Sequence, residues 1–417
     1  MAETEAKTPP LAGLVRAGDA QTEAVAITPF IFMAHDVSNA YLVTTSDGDV
    51  VINTGMPDGA ERSKALFAPH RTGPLRHIVL TQSHADHFGG VPVFREEGTT
   101  IIGGPDFNEA LGDMMGLQGF FGQRTHKLWG TTLKRDNAPK PIPTPQEVAP
   151  DILVEDRLSI QVGERTFEFI SAPEGETIDN ILVWMPKEKV VFTGNTFGPV
   201  WLSMPFLNTL RGDKPRLVRN YLKSLAKVRD LDAEILITGH GEPIVGKQRI
   251  RDDLDRIEAA VTFVRDYTLE GMKAGKTVDQ LMAGFAFPDN LQIGEFHGKA
   301  SWAVKSIWRE YAGWFHYEDG TTALYGVPQA SVHADLAELA GGADALAARA
   351  GEHLAAGRPL EALHLVAIAL NAQPGHVDAL KVKKGASEAL LAASGASNLS
   401  ETMWLRSEIA EIDAQLG

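Results

Sequence analysis

Three metal-binding side chains lie within four consecutive positions of the sequence. His84, Asp86 and His87 belong to the segment Thr81–Gly90, which directly follows a short apolar run at residues 76–80. A short apolar run is typical of a strand buried in a sheet covered on both faces. Imidazole and carboxylate are suitable ligands for zinc, iron and manganese, and terminal glycines permit a tight turn into a following helix. We therefore predict a loop, anchored by a core strand, that carries a metal site.

Composition narrows the class of protein. The chain has 417 residues, of which 44% are hydrophobic, enough for a large core and for two or three domains. Its net charge of −15 gives it no electrostatic reason to bind nucleic acid or an anionic membrane. The absence of cysteine excludes disulfides and thiolate ligands. The start of the chain has neither the basic nor the apolar region of a signal peptide. We expect a cytoplasmic protein that acts on a small molecule.

Changes in composition and in the spacing of apolar residues along the chain suggest the domain organisation. We predict a polar leader at 1–20, a catalytic domain at 21–325 and a helical domain at 326–417. The catalytic domain would contain an inserted segment at 104–150 and a helical extension from about residue 249. The insertion is either an irregular excursion with its own small core or a lid over the site. The last domain reads as four helices, with one stretch that resembles a tetratricopeptide repeat; an ordinary helical bundle is the alternative.

The motif loop resembles that of the metallo-β-lactamase superfamily, whose pattern is Thr-His-x-His-x-Asp-His-x-Gly-Gly. The chain matches this pattern except at Gln82, which stands where the first His would be. Residues 52–55, 192–195 and 238–241 resemble three further superfamily motifs in the expected order. The resemblance implies an α/β fold, the αββα sandwich of this superfamily, followed here by the helical domain.

A narrower resemblance, to the alkyl sulfatases of this superfamily, covers most of the chain. Residues 172–176 are similar to the segment in which alkyl sulfatases use Glu as a metal ligand; Glu176 is the better aligned carboxylate and Glu174 the second choice. Residues 209–212 and 311–315 are similar to two more motifs of that family. Residues 341–346 resemble the start of its dimerisation domain, which implies a homodimer formed through the C-terminal helices.

The resemblance also implies roles for individual residues. One metal would be held by Gln82, His84 and Glu176, and a second by Asp86, His87 and His240, with Asn195 between them. Asp86 would additionally orient the attacking hydroxide, and Arg211 and His297 would contact the substrate. Each of the last two has an ordinary alternative: Arg211 as a surface or ion-paired residue, and His297 as packing at the domain junction.

Three positions depart from the family pattern in the same sense. Gln82 replaces an imidazole, Asn195 replaces a carboxylate, and Asn53 replaces an acid that supports the first metal position in the superfamily. Amide oxygens are neutral and weaker ligands, and groups that support ligands commonly set metal affinity. The first metal position is therefore expected to bind less tightly. Three outcomes are open: two metals with a weak first site, one metal at the second site, or iron used for redox or lyase chemistry.

The leading functional hypothesis is metal-dependent hydrolysis of an ester-like bond, with an alkyl sulfate ester as the nearest analogue. The expected cofactor is one or two Zn²⁺ ions, with iron or manganese as alternatives. An iron-dependent oxygenase or lyase on the same fold is the runner-up. A non-catalytic interaction protein built on the C-terminal helices is the third hypothesis.

Overall fold

The computed structural model describes residues 9–130, 132–133 and 139–417, which form two compact units. The larger unit consists of Pro10–His126 and Gly130–Glu310. The smaller unit includes Lys127–Trp129 and Tyr311–Gly417. The sequence had suggested a boundary near residue 325.

The larger unit contains the strands of the structure. They are β1 (Val25–Thr28), β2 (Ile31–Ala34), β3 (Ala40–Thr45), β4 (Gly48–Ile52), β5 (Leu75–Val79), β6 (Thr100–Gly103), β7 (Ile152–Leu153), β8 (Arg157–Val162), β9 (Arg165–Ser171), β10 (Ile181–Met185), β11 (Val190–Phe192), β12 (Ile235–Ile237) and β13 (Ile244–Val245). They form a seven-stranded sheet in the order β1 to β7 and a six-stranded sheet in the order β13-β12-β11-β10-β9-β8.

The described residues also form α-helices. They are α1 (Pro10–Leu14), α2 (Ala60–Phe67), α3 (Ala85–Phe88), α4 (Val91–Phe94), α5 (Phe107–Gly116), α6 (Gln118–Trp129), α7 (Pro145–Val148), α8 (Val218–Asp230), α9 (Lys247–Lys273), α10 (Val278–Gly284), α11 (Ala300–Ala312), α12 (His333–Leu339), α13 (Ala343–Ala355), α14 (Pro359–Ala372), α15 (Val377–Ala393) and α16 (Leu399–Leu416).

The two sheets pack face to face, because both present apolar side chains that are buried between them. One core joins residues such as Val43, Val79 and Ile102 of the first sheet to Phe169 and Val183 of the second. A second core lies on the other face of the first sheet, against α2, α4 and α5. Helix α9 packs on β12 and β13 of the second sheet. The predicted αββα sandwich is confirmed, and within it β3 and β4 form an antiparallel hairpin.

The segment 104–150 joins two neighbouring strands of one sheet. It leaves from β6 and returns to β7, and these strands pair in parallel. Its described part contains α5, α6 and α7. Asp113 of α5 forms an ion pair with Lys214, with 2.6 Å between Oδ2 and Nζ. A Cβ atom at Gly212 would lie 2.9 Å from Cε1 of Phe121 on α6. The insertion therefore packs on the loop that carries Arg211.

The first and the last described stretches of the chain both contain helices. Of the polar leader predicted at 1–20, residues 1–8 lie outside the described residues, and the remainder contains α1, where Leu11 is fully buried. Helices α13 to α16 pack consecutively on one another in the smaller unit, so the helical C-terminal region is confirmed. Among the helices of the described residues, none has the length and hydropathy to cross a lipid bilayer.

Candidate metal centre

The loop Thr81–Gly90 is fixed by backbone contacts with the end of β4. The amide N and the hydroxyl of Thr54 donate to the carbonyl of His87, at 2.8 and 3.2 Å. The amide of Gly90 donates to the Thr54 hydroxyl at 3.1 Å. A Cβ atom at Gly90 would lie 2.3 Å from the Thr54 carbonyl oxygen, so this close approach requires glycine.

Asn53 braces the start of the same loop. Its backbone has a φ of 55°, a left-handed conformation that Asn tolerates better than most residues. Its Oδ1 accepts hydrogen bonds from the amide and the hydroxyl of Thr81, at 3.0 and 3.1 Å. The Thr81 hydroxyl lies 3.4 Å from Nδ1 of His87. We expected Asn53 to support the first metal position, but these contacts lead to His87, which belongs to the second.

The second set of expected ligands comes together closely. Oδ2 of Asp86 lies 3.7 Å from Nε2 of His87 and 3.8 Å from Nε2 of His240. One donor atom from each residue falls within 4.8 Å of the other two. His87 is fully buried, while the Asp86 side chain keeps 20% of its surface exposed. Three donors from two loops therefore converge with one side open.

Burial and charge put this set in the protonation state that metal binding needs. Burial lowers the pKa of His87 to about 3, although the Asp86 carboxylate opposes the shift. Burial likewise lowers the pKa of His240. Burial would raise the pKa of Asp86, but the neighbouring imidazoles and the Ser38 hydroxyl bring it below its usual range. At neutral pH the set therefore offers two neutral imidazoles and a carboxylate, the forms that ligate metal.

Ser38 lies within hydrogen-bond distance of all three members of this set. Its Oγ donates to Oδ2 of Asp86 at 2.5 Å. The same atom lies 3.0 Å from Nε2 of His87 and 3.2 Å from Nε2 of His240. Ser38 is fully buried. Ser38 could not be recognised from the sequence, because a serine two positions before a strand carries no specific signal.

Asn195 contributes a buried oxygen beside the second set. Its Oδ1 has no hydrogen-bond partner, although the residue is only 7% exposed. A Cβ atom at Gly239 would lie 2.2 Å from this oxygen and 2.9 Å from Cε1 of His87. A buried acceptor without a donor is costly unless a cation or a water satisfies it. Its position beside the ligands fits a metal ion.

The first set of expected ligands is engaged by protein groups instead. Oε1 of Gln82 accepts a hydrogen bond from the backbone amide of Asn195 at 2.9 Å. Nε2 of Gln82 lies 2.8 Å from Nδ1 of His84. Oε1 of Glu176 lies 3.9 Å from the same His84 atom. The three residues are neighbours, but both ends of the Gln82 amide already have partners.

A guanidinium group occupies the other side of Glu176. Nη1 of Arg216 lies 2.7 Å from Oε2 of Glu176, and it also donates to the carbonyl of Phe206 at 3.0 Å. Both side chains are nearly buried, at 6% and 7% exposure. Burial raises the pKa of Glu176, while the Arg216 charge opposes that shift. The second choice for this role, Glu174, is hydrogen-bonded to Asn220.

The outer nitrogen of His84 faces an ion pair. Nε2 of His84 lies 3.0 Å from Oδ2 of Asp213 and 2.9 Å from Nη2 of Arg211. Arg211 and Asp213 lie 3.1 Å apart. Burial would raise the pKa of Asp213, but its hydrogen bond with His84 and the nearby arginines lower it. Arg211 is therefore both ion-paired and adjacent to the expected site.

His297 is part of the same neighbourhood. Its ring packs edge-on against Phe206, with 4.7 Å between the centroids. Burial lowers its pKa well below the usual value, and the positive charges of Arg216 and Arg211 act in the same direction. His297 is therefore a neutral imidazole at neutral pH.

These observations separate the two sets. The second set fits a divalent metal, because three suitable donors converge and an unpaired amide oxygen lies beside them. The first set offers one imidazole and one carboxylate, and the carboxylate is already paired with Arg216. Arg216 and Asp213, like Ser38, escaped the sequence analysis: their partners His84 and Glu176 are distant in sequence, and no motif marks them.

Comparison with known proteins agrees with this architecture. The model of the metallo-β-lactamase superfamily matches residues 34–240, and the model for alkyl sulfatase dimerisation matches residues 277–411. A linear primary-alkylsulfatase of a Pseudomonas species is 27% identical over 336 residues, which are 75% of this chain and 62% of that protein. The alkyl/aryl-sulfatase BDS1 of Saccharomyces cerevisiae is 27% identical over 345 residues, 76% of this chain and 52% of that protein. The chain thus spans between half and two thirds of the length of these relatives.

Solved structures give the same fold. The stereoselective inverting sec-alkylsulfatase Pisa1 from Pseudomonas superposes with a TM-score of 0.82 at 22% identity, covering 94% of this chain and 65% of that one. Residues 34–240 form a metallo-β-lactamase domain, and residues 277–411 form an alkyl sulfatase dimerisation domain. The comparisons do not favour the iron-dependent alternative.

Proposed function

We propose that the protein is a metal-dependent hydrolase of sulfate esters that carry an apolar group. The observation that carries the proposal is the convergence of donor atoms from Asp86, His87 and His240 within 4.8 Å of one another. The similarity to alkylsulfatases over three quarters of the chain supports the choice of substrate. When bound, a Zn²⁺ ion would supply Lewis acidity and lower the pKa of a water molecule. Asp86, His87 and His240 would hold it, with Asn195 beside them.

Residues of this set and around it would have separate roles in the hydrolysis. Hydrolysis adds water across the ester bond and releases an alcohol and hydrogensulfate. The partly exposed carboxylate of Asp86 would orient the attacking water and accept its hydrogen bond. Arg211, beside His84, would contact the sulfate oxygens, since a guanidinium matches a tetrahedral oxyanion. The neutral ring of His297, on Phe206, would border the substrate.

The experiment is turnover of dodecyl sulfate and 4-nitrophenyl sulfate by the zinc-loaded protein, followed as alcohol or phenol release. We expect activity that a chelator removes and zinc restores, and that His87→Ala lacks. Absence of turnover of any sulfate ester by fully loaded protein would overturn the sulfatase proposal. Turnover that survives complete metal removal would overturn the metal dependence.

The role of Arg211 has its own test. Arg211→Gln should raise KM for the sulfate ester more than it lowers kcat, because it removes a contact with the anionic group. Arg219→Gln, a change at an exposed arginine of α8, is the matched control and should leave both constants unchanged. Equal KM values for the two variants would contradict the role.

We also propose that the protein is a homodimer assembled through its C-terminal helices. The match of residues 277–411 to the alkyl sulfatase dimerisation model supports this. Light scattering coupled to gel filtration should give twice the monomer mass of 45.1 kDa. A monomer at micromolar concentration would contradict the proposal.

A further inference from the structure

The environment of Ser38 fits a bound cation. A serine hydroxyl has one proton to donate, and Ser38 gives it to Asp86 at 2.5 Å. The ring nitrogens Nε2 of His87 and His240 lie 3.0 and 3.2 Å from the same oxygen. In the tautomer that metal ligation requires, both nitrogens present lone pairs toward this oxygen. One proton cannot satisfy three acceptors, whereas a divalent ion among them would satisfy all three.

The backbone holds Ser38 against the loop that carries His240. The amide of the next residue, Asn39, donates to the carbonyl of Gly239 at 2.8 Å. The Asn39 side chain donates to the carbonyl of Gly241, also at 2.8 Å. The Tyr41 hydroxyl donates to the carbonyl of Thr238 at 2.7 Å. These contacts fix the start of β3 to both sides of His240, so the Ser38 hydroxyl is placed by the fold rather than by a flexible loop.

We propose that Ser38 supplies a fourth protein ligand atom at the Asp86–His87–His240 site. The site then has two oxygen and two nitrogen donors for a divalent metal. Ser38, His87 and His240 are buried and would contact the metal from the interior of the protein. The exposed edge of Asp86 leaves the remaining side open for water and substrate. This inference rests on the proposed metal-dependent function, since it presumes that the site binds metal.

A thiol substitution provides the sharpest test, because the chain contains no cysteine. In Ser38→Cys loaded with Co²⁺, we expect a thiolate-to-cobalt charge-transfer band in the near ultraviolet and slower alkylation by iodoacetamide than in the metal-free variant. The matched control is Ser387→Cys, a buried serine of α15 in the other compact unit. Its Co²⁺ spectrum should lack the band, and cobalt should not change its alkylation rate.

Ser38→Ala supplies a second measurement that needs no thiol. Its affinity for Zn²⁺, measured by chelator competition, should fall by about tenfold. Unchanged or tighter zinc binding in Ser38→Ala, or a Ser38→Cys protein that binds Co²⁺ without the band, would overturn the proposal while leaving the hydrolase function intact. A wild-type protein that takes up neither Co²⁺ nor Zn²⁺ would overturn both.

Discussion

The two expected halves of the metal centre, similar in the superfamily pattern, have become different kinds of environment in this chain. Around His87, acceptors converge and one of them, Oδ1 of Asn195, has no hydrogen-bond partner. Around His84, every polar group that we expected to be a ligand has a protein partner, and Arg216 carries positive charge to Glu176. The set around His87 lacks a positive charge, whereas the set around His84 already contains that of Arg216.

The difference shows what the amide replacements accomplish. Gln82 accepts the backbone amide of Asn195 with one end of its planar amide group and faces Nδ1 of His84 with the other. The replacement therefore forms part of a hydrogen-bonded network rather than merely weakening a ligand. A buried guanidinium then neutralises the carboxylate that a metal would otherwise balance.

The largest effect should come from breaking the Arg216–Glu176 pair. Arg216→Met leaves a buried carboxylate unpaired and should lower the free energy of unfolding of the metal-free protein by about 3 kcal/mol. Urea denaturation measures this. Arg219→Met, on the exposed face of α8, is the control and should change stability by less than about 0.5 kcal/mol. The double variant Arg216→Met with Glu176→Gln should recover most of the loss; no recovery would show that the pair is not coupled.

The next effect compares one imidazole from each half. His87→Ala should weaken the binding of the first zinc equivalent by about 100-fold or more, whereas His84→Ala should weaken it by less than about tenfold. The physical reason is that His87 belongs to the set with converging donors. Competition against a chromophoric chelator measures both constants. The reverse order of the two variants would place the tighter metal site at His84 and contradict its assignment to the set that contains His87.

A smaller effect should follow from Asn53, which acts through Thr81. Asn53→Ala removes two buried hydrogen bonds and should cost about 1–2 kcal/mol of stability. It should also weaken zinc binding several-fold, because the Thr81 hydroxyl that faces His87 loses its anchor. Asn53→Asp keeps the acceptor and should stay near the wild type. If zinc affinity in Asn53→Ala equals that of the wild type, the chain of contacts to His87 has no influence on the metal.

The smallest effect is expected for Gln82→His. Restoring the imidazole alone should improve binding of a second zinc equivalent by less than about tenfold, since Glu176 remains paired with Arg216 and Asn195 remains an amide. Zinc stoichiometry and sulfate ester turnover test this. Tight binding of two zinc ions with a large gain in activity would show that position 82 alone had controlled the first site.

Much of the fold could be predicted because the signals were local. The short apolar run at residues 76–80 marked the buried strand β5, and helical spacing marked the C-terminal helices. The pairing of Arg216 with Glu176 could not be read, because two residues forty positions apart meet only after both sheets have formed. Ser38 could not be predicted for the same reason, because it contacts His240, which is 202 positions away in the sequence. The assignment of metal ligands therefore stays a prediction that the geometry supports for the second set.

The insertion between β6 and β7 has a consequence for how such a protein diversifies. Two neighbouring parallel strands need a connection, but the hydrogen bonds between them do not depend on the sequence of that connection. Lengthening a surface segment also costs little free energy. Helices α5 and α6 pack on the loop of Arg211. A different segment in place of 104–150 would therefore change the surface beside that loop. Such an exchange would alter what reaches the metal centre while the sheets and ligand loops keep their register.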